Sequence, residues 1–509
     1  MPVKRPLVRG TIILGSVNLY NRCLGVFSQA MAVRLLGTQG YGLYQLSMPI
    51  FTLCLVLATA GIPPALTRLV ADESSRRNLP AVYRAVRWSF WALALLGVVF
   101  AVLIAFSWPL IARFQLADHR IRGCLLVLGC SLPVIAAASS LRAYFQGVQR
   151  MGVPALAQML EQTTRVAGGL YMAYYLLPLG IGWAAAGYAS GVVMGEAVGL
   201  LLMLAVYCLQ RGRQAASRPG DNTVSRSTGP VTDRIAHFAA PATLNRLLSA
   251  VVLNIEAVLI PRFLLQGGCS PEQATALYGQ FMGVALTLIT IPGISTLAVS
   301  ANLLPAVANA RARGDTAYIE KAASQGIKIV LALSLPITVV LCRFPQEITH
   351  LVFGLSDDMS YLRVLALGGV GLYLIQITNG ILYGLNRPRR VLVNTTFYSL
   401  VRIALICVFM SRGSGLLPLA WAYLFSYLLG MLLNIAPLYS CIGSGRPPRL
   451  SSSLAAAGFM LLAIESVGLY FGQSGYPAVP LLLLMIGAGL TVYGITLLLR
   501  DYHLLRRPS

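Results

Sequence analysis

Acidic side chains are scarce in this sequence. Sixteen Asp and Glu stand against 39 Lys and Arg, only 11% of residues are charged, and histidine occurs four times. Too few solvated side chains remain to cover a soluble surface, which excludes a water-soluble globular chain. No Walker A or other nucleotide fingerprint occurs, so ATP-driven work by this chain alone is not expected. His119, His237, His350 and His503 show no metal-ligand spacing. The nine cysteines, from Cys23 to Cys441, form no CxxC or Cys/His cluster, which removes a disulfide framework and a zinc site. No enzyme constellation, metal or cofactor is expected.

What fills the chain is apolar: 57% of residues are hydrophobic and the mean hydropathy is +0.73. Apolar runs of roughly 18 to 25 residues recur throughout, each long enough to cross about 30 Å of hydrocarbon as a helix. The short alternating segments of a β-barrel are absent. About fourteen spans are expected, beginning with 10–36 and 44–70 and ending with 452–472 and 478–499. Lys4, Arg5 and Arg9 precede the first span as they would a signal peptide. No small-residue cleavage site follows, so that span is expected to be retained.

The net charge of +23 does not point to nucleic acid, because its distribution alternates. Arg76, Arg77, Arg84 and Arg87 fall in the second loop. Arg211, Arg213, Arg218, Arg226 and Arg234 fall in the sixth, and Arg387, Arg389 and Arg390 in the tenth. Odd-numbered loops are poorer in basic residues, although Arg113, Arg120, Arg122 and Arg343 occur there. The positive-inside pattern places both termini in the cytoplasm and gives the basic loops an attraction to anionic lipid.

The chain also repeats itself. Tyr41-Gly42 recurs as Tyr278-Gly279, Tyr144–Arg150 recurs as Ile381–Arg387, and Arg165 recurs as Arg402, all 237 positions apart. The expected architecture is all-α and polytopic: a six-helix N-lobe (1–210), a basic cytoplasmic linker (211–234), a six-helix C-lobe (235–441), and a C-terminal helical pair with a tail (450–509). Six spans return the chain to the same side, so the lobes form a parallel repeat about an axis along the membrane normal. A substrate path is expected between them.

Charges inside a membrane usually face an interior cavity. Arg22 follows Asn21 near the middle of span one, and Arg246 follows Asn245 near the middle of span seven. Arg68, Arg165 and Arg402 lie in spans two, five and eleven. Guanidinium groups are permanently charged and match phosphate oxygens in bidentate geometry, so these five are candidate ligands for a phosphate or diphosphate. The competing reading pairs each with a carboxylate or a helix carbonyl. It is strongest for Arg165, four residues after Glu161 on one helix face. Glu256, two residues after Asn254, is the ion-coupling candidate, ahead of Glu196 and Glu465. Coupling to Na⁺, H⁺ or the membrane potential is the expected driving force. Gly61, Pro63 and Pro64 in span two, and Pro292 and Gly293 in span eight, are hinge candidates, since proline breaks helical bonding.

The stretches Arg34-Leu35-Leu36-Gly37-Thr38-Gln39-Gly40-Tyr41-Gly42 and Ala58-Thr59-Ala60-Gly61-Ile62-Pro63-Pro64-Ala65-Leu66-Thr67-Arg68 carry a resemblance. With them the chain resembles the polysaccharide-transporter branch of the multidrug/oligosaccharidyl-lipid/polysaccharide (MOP) exporter superfamily, nearest to the stage V sporulation protein B and lipid II flippase family. That resemblance implies two six-helix lobes around a V-shaped cavity, and movement of undecaprenyl-diphosphate-linked sugars across the bacterial cytoplasmic membrane. Asn21-Arg22-Cys23-Leu24-Gly25 is similar to the Ser-Arg-Val-Leu-Gly motif of lipid II flippases, which implies a diphosphate role for Arg22. Ser28-Gln29 stand where those flippases often carry Arg-Asp. The last two helices resemble a groove for a polyprenyl tail.

The leading expectation is therefore a flippase for a lipid-linked oligosaccharide such as a peptidoglycan precursor, acting by alternating access. Its expected partners are that lipid-linked sugar, anionic membrane lipids and cell-wall synthesis proteins. The alternatives are a cation-coupled drug exporter of the same superfamily and a non-transporting scaffold for cell-wall enzymes.

Overall fold

The computed structural model describes residues 5–59, 61–76, 78–115, 118–216, 231–413, 415–442, 451–471 and 477–505. These residues are helical or lie in short turns, and none forms a strand. The chain packs as two compact units, Met1–Val284 and Ala285–Ser509. The first holds α1 (Arg5–Thr59), α2 (Ile62–Ser75), α3 (Leu79–Gln115), α4 (Ile121–Gly147), α5 (Gly152–Leu176), α6 (Ile181–Ala216), α7 (Val231–Gln266) and α8 (Pro271–Tyr278). A π-helical turn, Gly279–Ala285, follows. The second holds α9 (Leu286–Thr290), α10 (Gly293–Ala312), α11 (Thr316–Arg343), α12 (Pro345–Phe353), α13 (Tyr361–Gly384), α14 (Pro388–Met410), α15 (Leu417–Ile442), α16 (Ser451–Phe471) and α17 (Ala478–Leu505). Helix α7 packs against α1, α2 and α3.

Eleven described helical segments are long and apolar enough to span a membrane, or twelve if one bent pair counts as a span. The expectation of fourteen counts differently at two places. The path from Ser16 to Ser75 is one segment, and α5 falls short because Gln158, Glu161, Gln162 and Arg165 dilute it. Spans one and two meet at a single residue where a loop over 35–43 is expected. Gly37, at φ 66° and ψ 176°, turns the chain in a conformation that a side chain resists. Helix α6 continues through Ala216 and α7 begins at Val231, so both run into the expected linker. Residues 217–230 between them, and the tail residues 506–509, lie outside the described residues.

Both hinge candidates sit at real breaks. Gly61, left-handed at φ 67°, separates α1 from α2, and Pro63 and Pro64 fall in the first turn that follows. Pro292 caps α10, where Pro271–Thr290 and Ser295–Ala312 are bent by 54°. The second break is held against α13: Thr296 hydrogen-bonds the Gln376 side chain, and Ser300 Oγ donates to Gln376 O at 2.9 Å.

The repeat is legible in the backbone. Gln149 and Asn386, 237 positions apart, are the two described non-glycine residues with positive φ, at 58° and 54°. Each sits in the same turn. Val148, Gln149 and Arg150 donate N–H bonds to Tyr144, Gln146 and Phe145, while Leu385, Asn386 and Arg387 donate to Ile381, Tyr383 and Leu382. Just before each turn a glycine touches corresponding atoms. A Cβ on Gly147 would stand 2.7 Å from Val70 and 2.8 Å from Thr67 O; on Gly384 it would stand 2.9 Å from Val307 and 2.8 Å from Leu304 O. A third correspondence joins α1 to the end of α8. Gly42 lies against Thr275 O, and Gly279 against Thr38 O. Each glycine there meets the counterpart of the other's partner.

The C-terminal pair packs α16 and α17 against α11 through Phe344, Met460, Ile464 and Met485. Tyr493 Oη donates to Ala332 O at 3.1 Å, and Arg343 Nε donates to Glu465 Oε1 at 2.6 Å. Glu465, read as a weak coupling candidate, here tethers α16 to α11.

Gly147→Ala and Gly384→Ala are each expected to cost about 1–3 kcal/mol, because the added methyl meets backbone and a branched side chain. Thermal unfolding of the purified variants in detergent checks this; an unchanged Tm in either would contradict the close approach.

Candidate functional site

The largest concentration of buried charge lies between α4, α5 and α6. Glu161 and Arg165 face α6 from α5, as their four-residue spacing requires, yet they do not pair with each other. Arg142 Nη2 of α4 takes Glu161 Oε1 at 2.8 Å, and Arg165 Nη2 takes Glu196 Oε1 of α6 at 2.7 Å. Arg142 also stands 3.8 Å from Glu196 Oε2, which closes the group into a quartet of two cations and two anions. An isolated charge in hydrocarbon is expensive, so four charges with no net sum are the cheaper arrangement. The glutamates are almost wholly covered, at 8% and 9% side-chain exposure, while Arg165 keeps 35%. Arg165 is therefore anchored at Nη2 and partly exposed, with its Nε buried.

Helix α6 permits this because a row of glycines lies on its face toward α5. Gly187, Gly191, Gly195 and Gly199 recur every four residues and press on Met172 O, Arg165 O, Glu161 O and the Glu161 side chain in turn. Close backbone approach between small residues drives helix association in lipid, where apolar side chains gain nothing by leaving the bilayer.

A polar and aromatic seam joins the quartet to α1. Tyr20 Oη and Thr163 Oγ1 lie 2.8 Å apart, and Ser28 Oγ and Tyr188 Oη 2.9 Å apart. Tyr188 stands edge-on to Tyr44 at 4.8 Å and to Tyr41 at 6.0 Å, and Gln45 Nε2 donates to Tyr41 Oη at 3.2 Å.

The five arginines read from the sequence fall into distinct environments. Arg22 on α1 and Arg246 on α7 are exposed and have no hydrogen-bond or ion-pair partner among the described residues. Asn245's side chain lies outside the described residues. Arg68 is exposed on α2 and has an interaction of its own. Arg165 is held by Glu196. Arg402 is buried, 4.8 Å over the Tyr423 ring. No described contact joins any two of the five. Glu256 is completely buried on α7, within electrostatic reach of Tyr278. Asn254 beside it donates to Pro49 O and Ala250 O, both at 2.8 Å.

Sequence reasoning missed Arg142. It sits near the end of a long apolar span and resembles a snorkelling residue; its signal was that Glu161 and Glu196 outnumber Arg165 at the same depth. The quartet is also confined to one half of the repeat. Asn379, Tyr398, Arg402 and Leu433 occupy the corresponding positions in the other. There Asn434 Nδ2 donates to Asn379 Oδ1 at 2.8 Å and Asn394 Nδ2 to Asn434 Oδ1 at 2.9 Å, a ladder of neutral amides.

Comparison with known proteins bears on the family and the fold. The family described as polysaccharide biosynthesis protein matches residues 7–311, and the family described as MatE matches residues 271–408. Stage V sporulation protein B of Bacillus subtilis (strain 168) is 28% identical over 434 residues, 85% of this chain and 83% of that protein. Lipid II flippase MurJ of the same organism is 23% identical over 84% of this chain and 82% of its own length. Among solved structures, lipid II flippase MurJ in an inward closed conformation superposes with a TM-score of 0.73, at 15% identity, over 97% of this chain and all of that one. An inward-facing multidrug resistance MATE family transporter of the MOP superfamily gives 0.68, at 16% identity, over 86% of this chain and 99% of that one.

Arg142→Ala is expected to destabilise by about 3 kcal/mol, because it strands a buried carboxylate. Adding Glu161→Gln should recover about half of that loss, since the two changes act on one contact. Unfolding midpoints of both single variants and the double variant test the coupling, and simple additivity would refute it.

Proposed function

The chain belongs to the polysaccharide biosynthesis protein family, within the MOP superfamily, and from that membership we propose that it flips an undecaprenyl-diphosphate-linked oligosaccharide, such as a peptidoglycan precursor, across the bacterial cytoplasmic membrane. The observation that carries this reading is the division among its arginines. Arg165 and Arg402 are occupied within the protein, by Glu196 and by Tyr423. Arg22 and Arg246, on the helices that open the two repeats, are exposed and have no partner among the described residues. Guanidinium groups available to a membrane-embedded ligand favour an anion with several oxygens.

In this reading Arg22 and Arg246 hold the diphosphate, Arg68 meets it at the cytoplasmic end, and Arg165 and Arg402 position the helices around it. The polyprenyl tail stays in lipid against α16 and α17. The breaks at Gly61 and at Pro292-Gly293 supply the bending points for alternating access. Glu256 is the site at which Na⁺ or H⁺ acts, with the membrane potential as the other contribution. Both termini face the cytoplasm. Anionic lipids border the basic loops, and cell-wall synthesis proteins are proposed partners.

A cation-coupled drug exporter is the second reading, favoured by the MatE match. Such a protein needs free carboxylates to hold a cationic drug, whereas Glu161 and Glu196 are each bound by an arginine.

Arg22→Ala and Arg246→Ala should each lower transport of a polyprenyl-diphosphate sugar in proteoliposomes by about tenfold, the worth of one charge-assisted hydrogen bond. Stability should be untouched. Full-rate transport by both variants, or efflux of cationic drugs with no movement of lipid-linked sugar under any Na⁺ gradient or potential, would overturn the reading.

A further inference from the structure

The two copies of the repeated turn provide an internal control. In the first half the chain continues Gln149-Arg150-Met151-Gly152-Val153, and in the second Asn386-Arg387-Pro388-Arg389-Arg390. Both make the same backbone bonds and place the corresponding residue, Gln149 or Asn386, at positive φ. The fold therefore asks for no arginine at 389 or 390, since Gly152 and Val153 serve at those positions in the other copy. Yet Arg387, Arg389 and Arg390 together line a cavity of about 460 Å³, shared with Val393 and Asn394.

The lining of this cavity contains no carboxylate. Arg387 and Arg389 have no side-chain hydrogen bond or ion pair among the described residues, while Arg390 has an interaction of its own. Asn394 closes the inner side and is itself fixed, donating to Leu433 O at 2.8 Å and to Asn434 Oδ1 at 2.9 Å. The cavity is thus lined by three arginines and a fixed neutral amide, and Arg387 and Arg389 bring to it guanidinium groups that no described residue pairs.

We propose that this cavity captures the diphosphate of the lipid-linked substrate at the face the basic loops assign to the cytoplasm, before the headgroup moves toward Arg22 and Arg246. The proposal rests on the flippase reading above. The guanidinium groups of Arg387 and Arg389, with Arg390 beside them, match the several oxygens and multiple negative charge of a diphosphate better than the single charge of a phosphodiester lipid headgroup. A free cation is repelled.

The test uses the full chain in phosphatidylcholine nanodiscs, with undecaprenyl diphosphate and phosphatidylglycerol as separate probes. Arg389→Ala/Arg390→Ala should weaken undecaprenyl diphosphate binding by about tenfold and leave phosphatidylglycerol binding within about twofold of wild type. Arg389→Gly/Arg390→Val, which copies the first-half turn, should do the same and guards against a folding artefact. Equal losses for both lipids would make the cavity a general anionic-lipid contact, and undiminished diphosphate binding would reduce the arginines to a topology signal; either overturns the capture site. The flippase reading survives those results if the wild type still moves a polyprenyl-diphosphate sugar, and fails separately if it moves none.

Discussion

Hydrocarbon offers no hydrogen-bond partners, so a polar group carried into the membrane is costly unless another part of the chain or a ligand answers it. That constraint explains details that otherwise look unrelated. Arg142 is there because Glu161 and Glu196 are there, and Gly195 and Gly199 are there because two helices must approach closely enough for those charges to meet. Asn254 supplies a donor to a carbonyl on a neighbouring helix, and Asn394 of α14 donates to both Asn434 Oδ1 and Leu433 O of α15. Apolar area decides little, since an exposed leucine in lipid loses nothing. Polar matching sets which helix faces which.

Within that constraint the two halves use one backbone for different electrostatics. The turns at Gln149 and Asn386 and the approaches of Gly147 and Gly384 agree to within a few tenths of an ångström. Around them the first half carries a neutralised quartet and the second a run of amides. A quartet is rigid as long as all four members stay, because loss of one leaves an uncompensated charge in low dielectric. Amides can exchange partners without that penalty.

Much of the fold was legible in the sequence. The repeat, the helical class, the helix breaks at Gly61 and Pro292 and the C-terminal pair were read from spacing and composition. What escaped did so for physical reasons. Gly37 replaces an expected loop because one glycine at positive φ turns a chain as sharply as several residues do. The i, i+4 rule placed Glu161 and Arg165 on one face but cannot see partners arriving from other helices, and two did. Arg402 looked like the twin of Arg165, but its surroundings diverged: Leu433 stands where Arg165 has Glu196, and the Tyr423 ring lies 4.8 Å away. Position in a repeat predicts backbone faithfully and side-chain chemistry much less so.

The reciprocal contact of Gly42 with Thr275 and of Gly279 with Thr38 carries an evolutionary consequence. Half of this chain, paired with an identical copy of itself, makes that contact with a single glycine and a single threonine, each used twice across a twofold axis. In such an ancestor every substitution strikes both sides together, and a lone buried arginine appears as two. Fusion into one gene gives each side its own codon. One half is then free to gather four charges while the other discards three of them, and two identical sides become chemically distinct ones.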